Sequence, residues 1–119
     1  MSRHLTRDQI DSALKRGKSV EQLLDRPSAD KLAWIELRPV AEAVEIWRYE
    51  VFDDDCEEYF DLYSFSPVEE EWPEAPLETH PDGVSACDAA EARFSAESGR
   101  WVNRFMIQDE YRDDIARRH

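Results

Sequence analysis

The chain has 119 residues, of which 41% are hydrophobic and 36% charged, and its formal net charge is −13. This length fits one domain, and the apolar content is too high for an intrinsically disordered chain. No apolar stretch resembles a signal peptide or a membrane span, and Cys56 and Cys87 are too few for a disulfide framework, so we expect a cytoplasmic protein.

Two helix signals stand at the beginning of the sequence. Thr6 and the glutamine three residues later have the spacing of a capping box, which predicts a helix from about Arg7 to Gly17. The same spacing recurs at Ser19, which predicts a second, short helix over residues 20–24.

Three segments that follow have the composition of β-strands. They run from Leu32 to Arg38, from Val44 to Phe52 and from Tyr59 to Phe65, and short polar connections separate them. Such spacing indicates an antiparallel meander. Residues 66–83, which contain four prolines, are predicted to form a long acidic loop.

The last third of the sequence alternates between helix and strand signals. A helix is predicted from about Ala86 to Ser98, with Ser85 as its cap, then a strand from Arg100 to Ile107 and a helix from Asp109 to Arg117. The order is αα-βββ-α-β-α. We therefore predict one α+β domain over residues 1–119, with about four mostly antiparallel strands and the helices packed on one face.

The charge is unevenly distributed along the chain. Between Tyr49 and Ala92 there are fifteen acidic residues and no Lys or Arg, whereas the segments before and after it each carry a net charge of +1. A field of this kind attracts cationic partners and repels phosphate. The charge distribution therefore favours a basic protein partner and argues against nucleic-acid binding.

The inventory of reactive residues gives no support for catalysis. The three histidines, at positions 4, 80 and 119, are not in a nucleophile motif, and there is no glycine-rich phosphate loop. The acidic run around Cys56 lacks the spacing of an EF-hand, and Cys and His are too sparse for zinc. We therefore predict no catalytic residues, no metal site and no cofactor.

The leading hypothesis is a non-enzymatic interaction protein that binds a basic protein. The protein is analogous in charge and size to small acidic inhibitors and immunity proteins that block nucleases, although it shares no sequence motif with them. Trp72 is either an anchor in the interface or a cover over the edge of the sheet. The predicted partner-binding residues form a hairpin patch and a loop patch: Asp53, Asp54, Asp55, Glu57, Glu58, Asp61, Glu69, Glu70, Glu71 and Trp72.

Two other hypotheses remain open. In the first, the protein is a small-molecule-binding or enzymatic domain in which aromatic side chains of the sheet line a pocket, with Arg48, Glu50, Tyr63 and Arg104 as its polar groups, unless these four lie on a solvated face. In the second, the protein is a homo-oligomer with a structural role. The sequence leaves the oligomeric state undetermined.

Overall fold

The computed structural model describes residues 3–53 and 62–118, and within them three α-helices accompany a five-stranded sheet. The fold is therefore α+β, as predicted. In chain order the elements are α1 (Arg7–Lys15), β1 (Val20–Leu23), β2 (Lys31–Val40), β3 (Ala43–Phe52), a 3₁₀-helix (Leu62–Ser64), β4 (Glu78–His80), α2 (Gly83–Arg93), β5 (Val102–Asn103) and α3 (Ile107–Arg118). All strand pairs are antiparallel, and the order across the sheet is β4-β3-β2-β1-β5.

The hairpin of β2 and β3 forms the centre of the sheet. Ten residue pairs, from Lys31 with Phe52 to Val40 with Ala43, hold the strands in register. The connection between them has only two residues, and Ala41 there adopts a left-handed φ of 53°. The two predicted strands are confirmed, and both extend closer to the turn than the sequence indicated.

One face of the sheet packs against α1 and α2. Side chains of β2 and β3 that point to this face, among them Ile35 and Ile46, form a core cluster with Ile10 and Leu14 of α1 and with small residues of α2. The capping box at Thr6 is present and α1 begins as predicted. Burial of each large apolar side chain in such a cluster contributes roughly 1.5–3 kcal/mol.

The opposite face packs against α3, whereas we expected all helices on one face. Leu32 and Trp34 alternate with the residues of the first cluster and form a second one with Phe65 and with Ile107 and Tyr111. Because adjacent residues of β2 are apolar on both sides of the sheet, each face requires its own cover. The third helix supplies the cover on this second face.

The predicted helix after Ser19 is wrong, because residues Val20–Leu23 form β1. All four residues are buried, and the strand pairs with β2 on one side and with β5 on the other. Hydrogen bonds to both neighbouring strands satisfy the backbone N–H and C=O groups of β1, whereas in a helix as short as this segment most of these groups would have no partner within the helix. Ser19 donates its hydroxyl to the Glu36 carboxylate.

The strand predicted from Tyr59 to Phe65 is not observed in its described part. Residues 59–61 lie outside the described ranges, and Leu62–Ser64 is a 3₁₀-helix. The predicted strand from Arg100 to Ile107 is reduced to Val102–Asn103. Phe105 there has a φ of 78°, which is incompatible with an extended strand, and Ile107 begins α3.

The acidic loop and the helix predicted from Ala86 to Ser98 also differ in their bounds. The loop includes β4, which pairs with the start of β3. Asp82, and not Ser85, is the N-cap of α2, and this helix ends at Arg93, five residues before Ser98. Within residues 3–53 and 62–118, no helix has the length and apolar character that crossing a bilayer requires.

Candidate binding cleft

A cleft with a volume of about 140 Å³ opens on the face of the sheet that also carries α3. Its volume is close to the roughly 150 Å³ of a cavity that accepts benzene, so it suits one small chemical group. Strands β1 to β3 supply four lining side chains, and the connections beside them supply three. The lining residues are Glu21, Trp34, Glu36, Tyr49, Tyr63, Trp72 and Arg104.

The strand register brings these residues together. Glu21 of β1 is paired with Glu36 of β2, and Trp34 of β2 is paired with Tyr49 of β3. Directly paired residues on antiparallel strands point to the same face. The sheet thus presents two carboxylates and two aromatic rings side by side.

Aromatic rings form a continuous surface along the cleft. Trp34 stacks on Tyr49 with ring centroids 5.2 Å apart, and Tyr63 meets Trp34 edge-on at 5.7 Å. Trp72, from the acidic loop, lies 6.0 Å from Tyr49 and 6.4 Å from Trp34. Because 41% of Trp72 remains exposed, its ring both packs against the sheet and contacts solvent.

A cation already occupies the neighbouring aromatic face. Trp47 continues the aromatic row beside Tyr49, with nearly parallel rings 6.4 Å apart. The guanidinium carbon of Arg38 lies 4.1 Å from the centre of the Trp47 ring. This arrangement shows that the row of aromatic faces accommodates positive charge.

Glu36 is a buried carboxylate whose two oxygens are fully engaged. Tyr49 Oη donates to Oε1 at 2.6 Å and Ser19 Oγ donates to Oε2 at 2.7 Å. Arg38 donates to both oxygens, at 3.1 and 3.3 Å. Burial would raise the pKa of Glu36, but these hydrogen bonds outweigh it and hold the pKa below the ordinary value. Glu36 therefore acts as a fixed, compensated anion and lacks the free lone pair of a general base.

Glu21 has a different environment, although it is equally buried. Its Oε1 accepts hydrogen bonds from the Tyr63 hydroxyl and from the Phe105 backbone N–H at 3.0 Å. No cationic group in the described part of the chain lies within 4.0 Å of it. Burial raises the pKa of Glu21 and the neighbouring Glu36 adds to this, whereas the hydrogen bonds from Tyr63 and Phe105 and the charge of Arg104 oppose the rise. Glu21 is thus a buried carboxylate without an ion-pair partner among the described residues, and Arg104 acts on it only from beyond 4.0 Å.

The two tyrosines at the cleft are held as phenols. Burial raises the pKa of both, and the negative charges of Glu36 beside Tyr49 and Glu21 beside Tyr63 raise it further. Both hydroxyls therefore remain donors to their carboxylates at neutral pH.

Trp34 leaves one further group unsatisfied. Its indole Nε1 is the one buried side-chain nitrogen or oxygen of the described residues that has no hydrogen-bond partner. An unsatisfied buried donor costs about 1–3 kcal/mol.

The predicted pocket residues divide into two pairs. Tyr63 and Arg104 line the cleft, whereas Arg48 and Glu50 do not. Arg48 and Glu50 form an ion pair of 3.1 Å and line a separate pocket next to Pro67 and Pro73 of the acidic loop. Two of the four predicted polar groups thus line a cleft together with aromatic side chains of the sheet, and its use as a small-molecule pocket stays a prediction.

The predicted loop patch and hairpin patch have different positions. Residues Glu69, Glu70 and Glu71 are exposed and directly precede Trp72 at the cleft. Asp53 is instead engaged inside the protein, where it pairs with Arg26 at 2.7 Å and accepts the Tyr111 hydroxyl. The other hairpin residues lie outside the described ranges: Asp54, Asp55, Glu57, Glu58 and Asp61.

Sequence reasoning missed Glu21, Glu36, Trp34 and Tyr49 as site residues. The alternation of β2 placed Trp34 and Glu36 on one face, and this was the available signal. Glu21 was assigned to a helix, so its pairing with Glu36 was not foreseen. No group of three metal-ligating side chains occurs in the described ranges.

Comparison with known proteins yields no match: no family model fits the chain, and neither curated proteins nor solved structures show significant similarity. The function must therefore be argued from the cleft itself.

Proposed function

We propose that the protein is a non-enzymatic interaction protein that binds a basic protein partner by taking a lysine side chain into the cleft. The observation that carries this proposal is the buried Glu21 carboxylate, which has no ion-pair partner among the described residues and lies beside the aromatic surface of Trp34, Tyr49 and Trp72. Arg104, which also lines the cleft, acts on Glu21 only from beyond 4.0 Å. Aromatic faces next to a carboxylate are the standard surroundings of a bound ammonium group. The cleft volume suits the end of one such side chain.

The acidic loop supports the same conclusion. Glu69, Glu70 and Glu71 are exposed on the segment that carries Trp72 to the cleft. Their field would increase the rate of encounter with a basic surface and favour it over an anionic one. Trp72 would then act as the partly exposed aromatic anchor that is common in binding hot spots. A cytoplasmic location is part of the proposal, since Cys87 is a buried free thiol.

An acid–base enzyme is the competing interpretation of two neighbouring carboxylates with opposite pKa shifts. The four hydrogen bonds to Glu36 argue against it, because they leave that carboxylate no position from which to accept a substrate proton. We therefore favour binding without chemistry.

The test is a titration with oligolysine followed by tryptophan fluorescence, with fully acetylated oligolysine of the same length as the uncharged control. We expect saturable binding of oligolysine alone. Trp72→Ala should weaken it about 30-fold, as loss of a hot-spot residue does. Glu21→Gln should weaken it about 10-fold.

A pair of charge-matched variants separates the loop from the overall charge. The first neutralises Glu69, Glu70 and Glu71, and the second neutralises the exposed residues Asp8, Asp25 and Glu42. The loop variant should lose more affinity and more salt dependence than its control. Equal losses in both, with Trp72→Ala unaffected, would mean that only the net charge attracts oligolysine, and the proposal would be wrong.

A further inference from the structure

Most cationic side chains of this acidic protein are paired with a carboxylate, but four are not. Among residues 3–53 and 62–117, Arg16, Lys18, Lys31 and Arg104 have no carboxylate within 4.0 Å. Three of them, Arg16, Lys18 and Arg104, line one groove. In a chain with 28 acidic and 15 basic residues, such a concentration of uncompensated positive charge is unexpected.

This basic groove runs between the end of α1 and the connection from β5 to α3. It has a volume of about 590 Å³, and no carboxylate lines it. Gly17, with a φ of 78°, turns the chain out of α1, and the Arg104 N–H bonds the Ser19 carbonyl at 3.3 Å across the groove. The three cations are thus brought together by backbone that is itself fixed.

The end of α1 does not oppose a bound anion as strongly as a bare helix terminus would. The carbonyls of the last turn already accept hydrogen bonds from the backbone N–H groups of Arg16, Gly17 and Lys18. Their partial negative charges are therefore largely compensated.

Phe105 supplies an apolar surface at the same groove. It is 58% exposed and has a φ of 78°, which is costly for a residue that is not glycine. Its N–H donates to Glu21 Oε1 and to the Tyr63 hydroxyl, and these bonds hold the strained conformation. The Arg104 guanidinium lies 4.8 Å from the centre of its ring. A strained backbone thus keeps an aromatic ring and a guanidinium that has no ion-pair partner together at the groove.

We propose that this groove is a second binding site, for a small organic anion whose phosphate or carboxylate pairs with Arg16, Lys18 and Arg104 and whose apolar part lies on Phe105. Guanidinium groups bind both oxyanions in a bidentate manner, and lysine adds a point charge. The net charge of −13 repels extended polyanions, so the ligand is a small molecule. The groove and the lysine-binding cleft adjoin at Arg104, which lines both, whereas Arg16, Lys18 and Phe105 line the groove and not the cleft.

The experiment is an NMR titration of the ¹⁵N-labelled protein at constant ionic strength with inorganic phosphate, phenyl phosphate and benzoate. We expect saturable shifts concentrated at the amides of residues 16–19 and 103–105. Phenyl phosphate should bind at least fivefold more tightly than inorganic phosphate, because only it can contact Phe105. Benzoate compared with phenyl phosphate decides between carboxylate and phosphate as the preferred group.

Matched variants test the residues themselves. Arg16→Gln/Lys18→Gln should weaken binding at least tenfold, and Lys31→Gln/Arg117→Gln removes the same charge elsewhere and should leave binding within twofold. Unchanged spectra outside the groove show that the variants fold. Shifts spread over the whole surface, or equal weakening in both double variants, would overturn the proposal. Oligolysine binding should persist in Arg16→Gln/Lys18→Gln, so failure of one site is distinguishable from failure of the other.

Discussion

Replacing either cleft glutamate by glutamine removes the same charge at paired positions of adjacent strands, yet we expect opposite effects on stability. The two carboxylate oxygens of Glu36 together accept four hydrogen bonds. In Glu36→Gln one of these oxygens becomes an amide N–H₂, which faces the donors of Ser19 and Arg38 and cannot accept from them. Hydrogen bonds to charged groups contribute about 1.5–3 kcal/mol each. Ser19 can rotate to accept, so we expect a net loss of about 3 kcal/mol.

Glu21→Gln keeps its contacts and replaces a desolvated carboxylate by a neutral amide. A glutamine oxygen at the position of Oε1 still accepts from Tyr63 and from the Phe105 N–H. The carboxylate has no ion-pair partner in the described ranges, and Arg104 acts on it only from beyond 4.0 Å, so little favourable electrostatic interaction is lost. We expect the free energy of unfolding at pH 7 to be unchanged or raised by up to about 1 kcal/mol.

The pH dependence of the two effects follows from the directions of the pKa shifts. Folding raises the pKa of Glu21 above 4.5, so the stability that it contributes is present below pH 4.5 and is lost as pH rises through its native pKa. Folding lowers the pKa of Glu36, so its contribution is present above pH 4.5 and is lost as pH falls through its native pKa. Glu21→Gln should remove the first dependence and Glu36→Gln the second.

Urea unfolding at pH 7, pH 5 and pH 3.5 measures both effects, because the contribution of Glu36 changes only below pH 4.5. With an m-value of roughly 1–3 kcal/mol/M, the loss in Glu36→Gln shifts the midpoint by about 1 M or more. Equal destabilisation of the two variants would refute the assignment of Glu36 as the compensated carboxylate and Glu21 as the uncompensated one. A larger loss of stability in Glu21→Gln than in Glu36→Gln would show that the two assignments are the wrong way round.

Two further predictions concern the helices. Burial raises the pKa of Cys87 to about 12, so at pH 8 only about one thiol in 10⁴ is ionised. In a Cys56→Ser variant, an aromatic disulfide reagent should therefore label Cys87 at least tenfold more slowly in the native protein than in urea. Rapid labelling of the native protein would contradict the burial of Cys87. Asp82→Ala removes the N-cap of α2 and should lower the free energy of unfolding in urea by about 1 kcal/mol. Ser85→Ala should lower it less, because the backbone N–H of residue 85 still donates to the Asp82 carboxylate. The reverse order of the two losses would show that Ser85 is the functional cap.

The parts of the fold that were predictable have strong local signals. The capping box at Thr6 and the alternating runs of β2 and β3 were each sufficient to place an element. β1 was missed because Val20–Leu23 carries two polar residues, Glu21 and Gln22, that only tertiary pairing buries. Local sequence favoured a helix there, and two neighbouring strands override it.

The cleft was only partly predictable for a related reason. Trp72 was singled out from its acidic, proline-containing surroundings, and it packs against the sheet while 41% of it remains exposed. Its role as an anchor in an interface stays a prediction. Glu21 and Glu36 are 15 residues apart in sequence and meet only through the register of β1 with β2. Arg104 reaches the cleft through the pairing of β5 with β1, some 80 residues away along the chain. A single sequence carries no signal for either pairing.

The short outer strands of the sheet bear on how the protein behaves at high concentration. The edge strands are short, with three residues in β4 and two in β5, so few free backbone groups are available for pairing with a strand from another molecule. Beyond β4, the Val68 N–H bonds the Glu50 carbonyl, and the acidic loop lies along the exposed border of β3. A long, flat border is the usual template for polymerisation into fibres. We expect this protein not to form fibres even at high concentration, because its two longest strands, β2 and β3, lie inside the sheet or under the acidic loop.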